Sequence, residues 1–320
     1  MSRLLAKLAP ILPAVASLFR WVNRQRVGVL MYHGVLPADE ALAKDDWLQV
    51  TCDEFAAQMA FLQRHYTPLP LRDVLNPATR LPLSKPAVVI TFDDGYANNF
   101  HHALPILQHY GIPATIFLTT SHIGTDRFFW WDRLRLSMQA GGRCVPAAWA
   151  ASLKRLPAAS IDAAVDLMLR EQSIDPLPGD AAPGAYRCLT VDELQTMKNS
   201  GLVDFGSHTA GHEIIEHLSD ADLLGTLAQA SRDLQAWGCR TDLFAAPNGD
   251  YQDRQIALLQ QAGIGACVST QEGLWSPTAN RYRIPRFGIG RGMSPARFAL
   301  KLSGAESLLA RWRRSRQGGY

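Results

Sequence analysis

The 320 residues are 47% hydrophobic and 19% charged, proportions that exclude a disordered or collagen-like chain and suffice for a sizeable core. A formal net charge of +3, with Lys and Arg scattered until Arg311, Arg313, Arg314 and Arg316, argues against nucleic acid as a partner. The cysteines Cys52, Cys144, Cys188, Cys239 and Cys267 form no C-x-x-C pair and no even framework, which argues against a disulfide scaffold and leans towards a reducing compartment.

In residues 1–26, Leu4, Leu5, Leu8, Ile11, Leu12, Val15 and Phe19 recur at helical spacing with Arg3, Lys7 and Arg20 off the stripe, as in a helix lying on something apolar. The rival reading is a secretory signal: Ala14-Val15-Ala16 imitates a cleavage site, but Lys7, Pro10 and Pro13 break up the apolar run. The expected location is therefore cytoplasmic or at the cytoplasmic membrane, with export as the alternative. No apolar stretch of the roughly 18 residues that a spanning helix needs runs uninterrupted by charge.

Residues Val27 to His33 and Ala87 to Phe92 are short runs of branched apolar residues, the pattern of strands buried on both faces. Further strands are expected at Ala114 to Leu118, Val203 to Gly206, Leu243 to Ala246, Gly265 to Ser269 and Tyr282 to Ile289. Helical patterns lie between them at Cys52 to His65, Asn98 to Tyr110, Val191 to Ser200 and Asp220 to Trp237. Such alternation predicts an α/β fold with a parallel sheet or barrel, here one catalytic domain over 27–290. Residues 121–190 interrupt the rhythm with Phe128-Phe129-Trp130-Trp131 and an Ala-rich helical segment, and read as a mainly helical insertion of the kind that could serve as a lid. Over 291–320, Phe298, Leu302, Leu308, Leu309 and Trp312 lead into the arginine cluster, a basic amphipathic helix suited either to an anionic membrane surface or to packing on the domain.

The sharpest local feature is Thr91-Phe92-Asp93-Asp94-Gly95, two carboxylates directly after a buried strand, where barrels place their active sites. Alone, it could be a turn with Asp94 capping the next helix. Ser207-His208-Thr209-Ala210-Gly211-His212 changes the weighing: it follows another expected strand, and two imidazoles four residues apart would face one side if the chain turned into a helix there. Two His and one carboxylate with a position left for water form a catalytic Zn²⁺ shell; Co²⁺, Ni²⁺ or Fe²⁺ also suit the donors. In that arrangement Asp94, His208 and His212 would ligate a divalent ion and Asp93 would stay free as general base.

These two motifs resemble those of the NodB-homology polysaccharide deacetylases, carbohydrate esterase family four, over roughly residues 27–290: T-F-D-D-G at Thr91 to Gly95 and H-[ST]-x-x-H at His208 to His212. The resemblance implies the same division of roles and a distorted (β/α)7 barrel. The family's R-x-P-[YF]-G motif corresponds to Ala245-Ala246-Pro247-Asn248-Gly249, which departs twice. Asn248 could still offer its main-chain N–H to an oxyanion. The missing arginine would be replaced by Arg286, with Arg283 in reserve. The family's late L-x-x-H motif has no match, and His33, ending Val29-Leu30-Met31-Tyr32, is expected to supply the general acid, as in the circularly permuted biofilm-polysaccharide deacetylases.

The resemblance implies an N-acetylated hexosamine in a polysaccharide or glycan precursor as substrate, with Trp130, Trp131 and Trp275 as candidate sugar platforms. His101, His102, His109 and His217 are expected to be bystanders, and His122 could reach the cleft. The alternatives are a deformylase or other amide hydrolase on an amino sugar, a glycan-binding protein without catalysis, and an assembly partner in polysaccharide synthesis. Oligomeric state is not legible.

Overall fold

The structure, a computed structural model, describes residues 12–44, 46–80 and 84–306. The expected stripe residues Leu4, Leu5, Leu8 and Ile11, and Leu308, Leu309, Trp312 with the arginine cluster, lie outside the described residues.

The frame is a curled, mostly parallel sheet. Strand β1 (Val27–Tyr32) pairs in parallel with β5 (Ala87–Phe92), which continues through β6 (Ala114–Leu118), β7 (Val203–Ser207) and β8 (Leu243–Ala245) to β9 (Ala266–Val268). Every residue of β1, β5 and β6 is buried, as their branched apolar sequences require of strands covered on both faces. The segment 284–288 brings the curl back to its start: Ile284 bridges Val268, and β11 (Phe287–Gly288) pairs in parallel with Leu30 and Met31 of β1. The long strand expected over 282–289 is thus reduced to a bridge and a short strand, because Pro285 between them has no N–H to donate.

Three pairings were not legible in the sequence. Strand β2 (Gly34–Leu36) pairs with β3 (Gln49–Thr51) beside the sheet, β4 (Thr67–Pro68) joins the start of β5, and β10 (Leu274–Trp275) runs antiparallel to the start of β1. Gly34 is required here, since a Cβ would meet the Gln49 side chain at 1.9 Å.

The helices begin where the side-chain chemistry says they should. Thr51 with Glu54 and Thr190 with Glu193 form capping boxes at the starts of Cys52–His65 and Val191–Asn199, and Ser219 caps Asp220–Ala236. The helix expected over 98–110 is instead a π-helical turn, Asn99–Ala103, followed by the α-helix Leu104–Tyr110. Pro105 accounts for the change, since it cannot donate to the carbonyl one turn back.

The insertion is helical, as expected, with Trp130–Ala140, Ala147–Leu153 and Ala158–Glu171 gathered on a small core of Leu134, Met138, Leu153, Val165 and Leu169.

Of the two readings of the C-terminal segment, the described helix Pro295–Ser303 follows the packing one. Phe298 and Leu302 are buried in the main core, and Ala299 and Leu300 meet Val15, Ala16 and Phe19 of the helix Leu12–Val22. No described helix is long and apolar enough to cross a membrane.

Phe298 meets the ring of Phe61 edge-on at 5.7 Å and is 2% exposed. Phe298→Ala should therefore cost about 3–5 kcal/mol by urea unfolding; an unchanged midpoint would make this helix dispensable to the domain.

Candidate active site

The C-terminal ends of the parallel strands converge on one cleft of about 1000 Å³. Strand register decides which side chains meet there. Tyr32 is level with Phe92, and the Asp93 N–H donates to the Tyr32 carbonyl at 3.0 Å, so His33 and Asp93 leave adjacent strands side by side. Across the sheet the His208 N–H donates to the Leu118 carbonyl at 2.8 Å, which sets His208 opposite the end of β6.

The chain does not turn into a helix between His208 and His212. Thr209 and His212 both take left-handed conformations, φ 64° and 62°, and this turn aims both rings at Asp94. Asp94 and Asn248 are left-handed too, at 75° and 61°, so among the described residues four of the five non-glycine positions with positive φ stand in this site. Asp94 therefore does not cap a helix. Such conformations are costly and cluster where the surrounding structure imposes a working geometry.

His208 Nδ1 lies 2.8 Å from the Ala245 carbonyl, leaving Nε2 at 3.5 Å from Asp94 Oδ1; His212 Nε2 lies at 3.4 Å from the same oxygen. Their ligand atoms fall within 4.8 Å of one another. Asp94 Oδ1 is buried without a hydrogen-bond partner, and burial together with the charges of Asp93 and Asp132 pushes its carboxyl well above the usual range. Burial also lowers both imidazoles, so each presents a neutral lone pair. A destabilised carboxylate flanked by two neutral imidazoles is a donor set that fits a divalent cation.

Asp93 has the opposite environment. Fully buried Arg286 grips it with Nη1 to Oδ1 and Nη2 to Oδ2, both at 2.7 Å. Arg286 is itself fixed by the Ser269 carbonyl at 3.0 Å and the Thr91 hydroxyl at 3.1 Å. Burial alone would raise the Asp93 pKa; the guanidinium outweighs it and holds the carboxyl at about 2. Arg283, the reserve candidate, points away to the exposed Asp253 at 2.8 Å.

His33 lines the cleft beside Asp93, with Nδ1 buried and unpartnered. Burial lowers its pKa to about 4, with Asp93 pulling up and Arg286 pulling down. Asn248 lines the cleft from the turn Pro247–Gly249, and its side-chain oxygen accepts from Lys154 Nζ at 2.5 Å.

The aromatic candidates separate. Trp130 and Trp131 line the cleft, and the Trp131 ring centroid is 4.5 Å from that of His212. Trp275 is corrected to a core residue: it is 3% exposed and pairs with Val27 at the opposite end of the sheet. His122 is likewise packed away, stacked on Phe129 at 4.5 Å.

Several lining residues escaped the sequence reading. Asp46, Trp47, Asp132, Arg135, Lys154 and His217 all face the cleft, the last having been expected as a bystander. Asp132 accepts from the Tyr96 hydroxyl at 2.6 Å, and Arg135 lies 3.3 Å from Asp46 and 3.8 Å from Asp132. The i,i+3 spacing of Asp132 and Arg135, just after the Trp pair, was a usable signal for one helix face. Nothing local marks Asp46 or Trp47.

Because Asp93 sits at about 2 in the folded chain against an ordinary 3.8, the ion pair contributes stability that is present above about pH 4 and lost as pH falls through 2. Arg286→Met should cost about 3–5 kcal/mol at pH 7 by leaving a buried carboxylate unpaired, and clearly less at pH 3, where that carboxylate takes a proton. Urea unfolding at the two pH values checks this, and an equal loss at both would contradict it.

Residues 80–267 match the family model for polysaccharide deacetylase. YxkH of Bacillus subtilis (strain 168) is 30% identical over 284 residues, covering 87% of this chain and 77% of that protein. The poly-beta-1,6-N-acetyl-D-glucosamine N-deacetylase of Staphylococcus epidermidis is 25% identical over 247 residues, covering 74% of this chain and 66% of that protein. Among solved structures, the Streptococcus pyogenes deacetylase PplD in complex with acetate superposes with a TM-score of 0.61 at 21% identity, over 87% of this chain and 98% of that one. IcaB from Ammonifex degensii gives 0.59 at 18% identity, over 87% and 97%. Matched by the family model over more than half its length, and built on the same fold, this chain belongs to the polysaccharide deacetylases, hydrolases of non-peptide carbon–nitrogen bonds.

Proposed function

We propose that the chain removes N-acetyl groups from an amino sugar within a glycan, using a divalent metal, Zn²⁺ by preference, held by Asp94, His208 and His212. The observation that carries this reading is the pair of adjacent carboxylates with opposite environments: Asp94 orphaned between two imidazoles, Asp93 clamped by Arg286. The relative named for poly-beta-1,6-N-acetyl-D-glucosamine supports the substrate class.

A metal in that position supplies a Lewis acid that polarises the amide carbonyl and makes water a better acid. The protein's own groups do the rest. Asp93, ionised at any physiological pH, accepts the proton of the attacking water. At about 2 it is a weak base, so its role depends on the water being acidified and on its fixed position beside it. The Asn248 main-chain N–H meets the oxygen that gains charge. His33 gives a proton to the departing amine; being neutral at rest, it must acquire that proton during turnover. Trp47 and Trp131 offer flat faces to the sugar rings.

The described part of the helix Leu12–Val22 supports peripheral membrane contact as part of this reading, since Leu18, Trp21 and Val22 are exposed beside Arg20, Arg24 and Arg26. Co-sedimentation of the full chain with anionic vesicles, weakened by Trp21→Glu, is the expected result; an unbound protein would remove this element.

The deciding assay is acetate release from N-acetylglucosamine oligomers by metal-loaded protein. Asp93→Asn should lose about 10²–10⁴ in rate with metal retained. His208→Ala should lose both activity and the single equivalent of metal. Formate from N-formyl substrates in place of acetate would favour the deformylase reading; metal binding with no hydrolysis would contradict the substrate class.

A further inference from the structure

Resting on that function, we propose that Lys154 of the insertion is a positioning residue for the reaction: it clasps the turn Pro247–Gly249 and so keeps the main-chain N–H of Asn248 in place for the oxygen that gains charge. Among the described residues, every other polar group of Asn248 is engaged. Its carbonyl accepts from the Thr270 hydroxyl at 3.2 Å, its Nδ2 donates to the Asp250 carboxylate, and its Oδ1 accepts from Lys154 Nζ at 2.5 Å. The main-chain N–H alone donates to no described acceptor.

The amide side chain is the link that these two partners require. An ammonium only donates and a carboxylate only accepts, so a group joining them must offer an oxygen on one side and an N–H on the other, as Asn does. Held from both sides, the amide cannot swing, and the backbone that carries it is fixed with it. That hold matters because Asn248 stands at φ 61°, a conformation that a non-glycine residue keeps only when its surroundings impose it. On the sheet side the turn is already seated: Gly249 is at φ 81°, and Thr270 packs so closely that a Cβ there would meet its Oγ1 at 2.0 Å. Lys154 holds it from the other side.

The same contact is where this part of the insertion is tied to the strand ends. The helices Ala147–Leu153 and Ala158–Glu171 rest on the insertion's own core, and Lys154 directly follows the first of them. Among the described residues, Lys154 Nζ to Asn248 Oδ1 is the one hydrogen bond that residues 147–171 make outside the insertion; the ion pairs of Asp162 and Asp166 go to Arg133, within it. Where the two helices lie and how the turn is held are thus coupled through one donor and one acceptor, 94 residues apart.

Lys154→Met keeps the apolar stem of the side chain and removes the donor. With metal-loaded protein and an N-acetylglucosamine oligomer, kcat should fall about tenfold while KM changes less than about twofold, and Lys154→Arg should restore most of the rate. A raised KM at unchanged kcat would make Lys154 a substrate-binding residue and overturn the proposal. Asn248→Gly is the second arm, since glycine keeps the main-chain N–H, accepts φ 61° and lacks the amide. It should lower kcat by a similar factor, and Lys154→Met should add nothing to it; losses that multiply to about a hundredfold mean that Lys154 does not act through Asn248. The third arm needs no turnover. Hydrogen exchange of the full chain should quicken at least about threefold over residues 147–156 and 246–251 in Lys154→Met, with the strands Ala87–Phe92 and Ala114–Leu118 unaffected. Unchanged exchange at the turn overturns the clasp whatever the protein hydrolyses. A wild type that releases no acetate, with exchange still responding to Lys154→Met, retires the deacetylase reading and leaves the clasp standing.

Discussion

The bidentate pair between Arg286 and Asp93 is the constraint on which this structure turns. A guanidinium and a carboxylate are both removed from water here, at a cost recovered only by close geometry and by hydrogen bonds for the remaining N–H groups. Ser269 and Thr91 supply those bonds. The pair also ties together two parts of the curl, since Arg286 enters from the segment that carries the sheet from β9 back to β1 and Asp93 leaves β5 on the other side of β1. Closure of the sheet and ionisation of the candidate base are thus one interaction.

Its second effect is to split two neighbouring carboxylates. Asp93 is held ionised by a guanidinium, whereas Asp94, one residue later, faces burial and two nearby negative charges and is pushed the other way. Pairs of titratable groups with opposed environments are how one site assigns different tasks to the same functional group. The left-handed backbone at Asp94 makes the split geometric as well, turning consecutive side chains into different surroundings.

The insertion shapes a cleft that the sheet alone would leave open. Its helices rest on a core of their own, so their inner faces are free to carry Trp130, Trp131, Asp132, Arg135 and Lys154 towards the strand ends. The sheet fixes where the reacting groups stand; the insertion decides what is brought to them.

The donor types and their placement after strands were legible in the sequence, because Thr91 to Gly95 and His208 to His212 are local patterns and the segments before them read as strands. So was the alternation that implied a parallel sheet. What the sequence could not decide were relations between distant positions. Arg286 over Arg283 depends on which guanidinium reaches a carboxylate 193 residues away once the curl has closed. The turn that converges His208 and His212, where a helix would have been the simpler route, depends on the left-handed conformations of Thr209 and His212. Trp275 and Phe298 carry side chains that suit a sugar or a membrane as well as a core, and only the tertiary packing placed both inside. Local chemistry named the groups, and long-range closure, whose partners no spacing records, determined which of them meet.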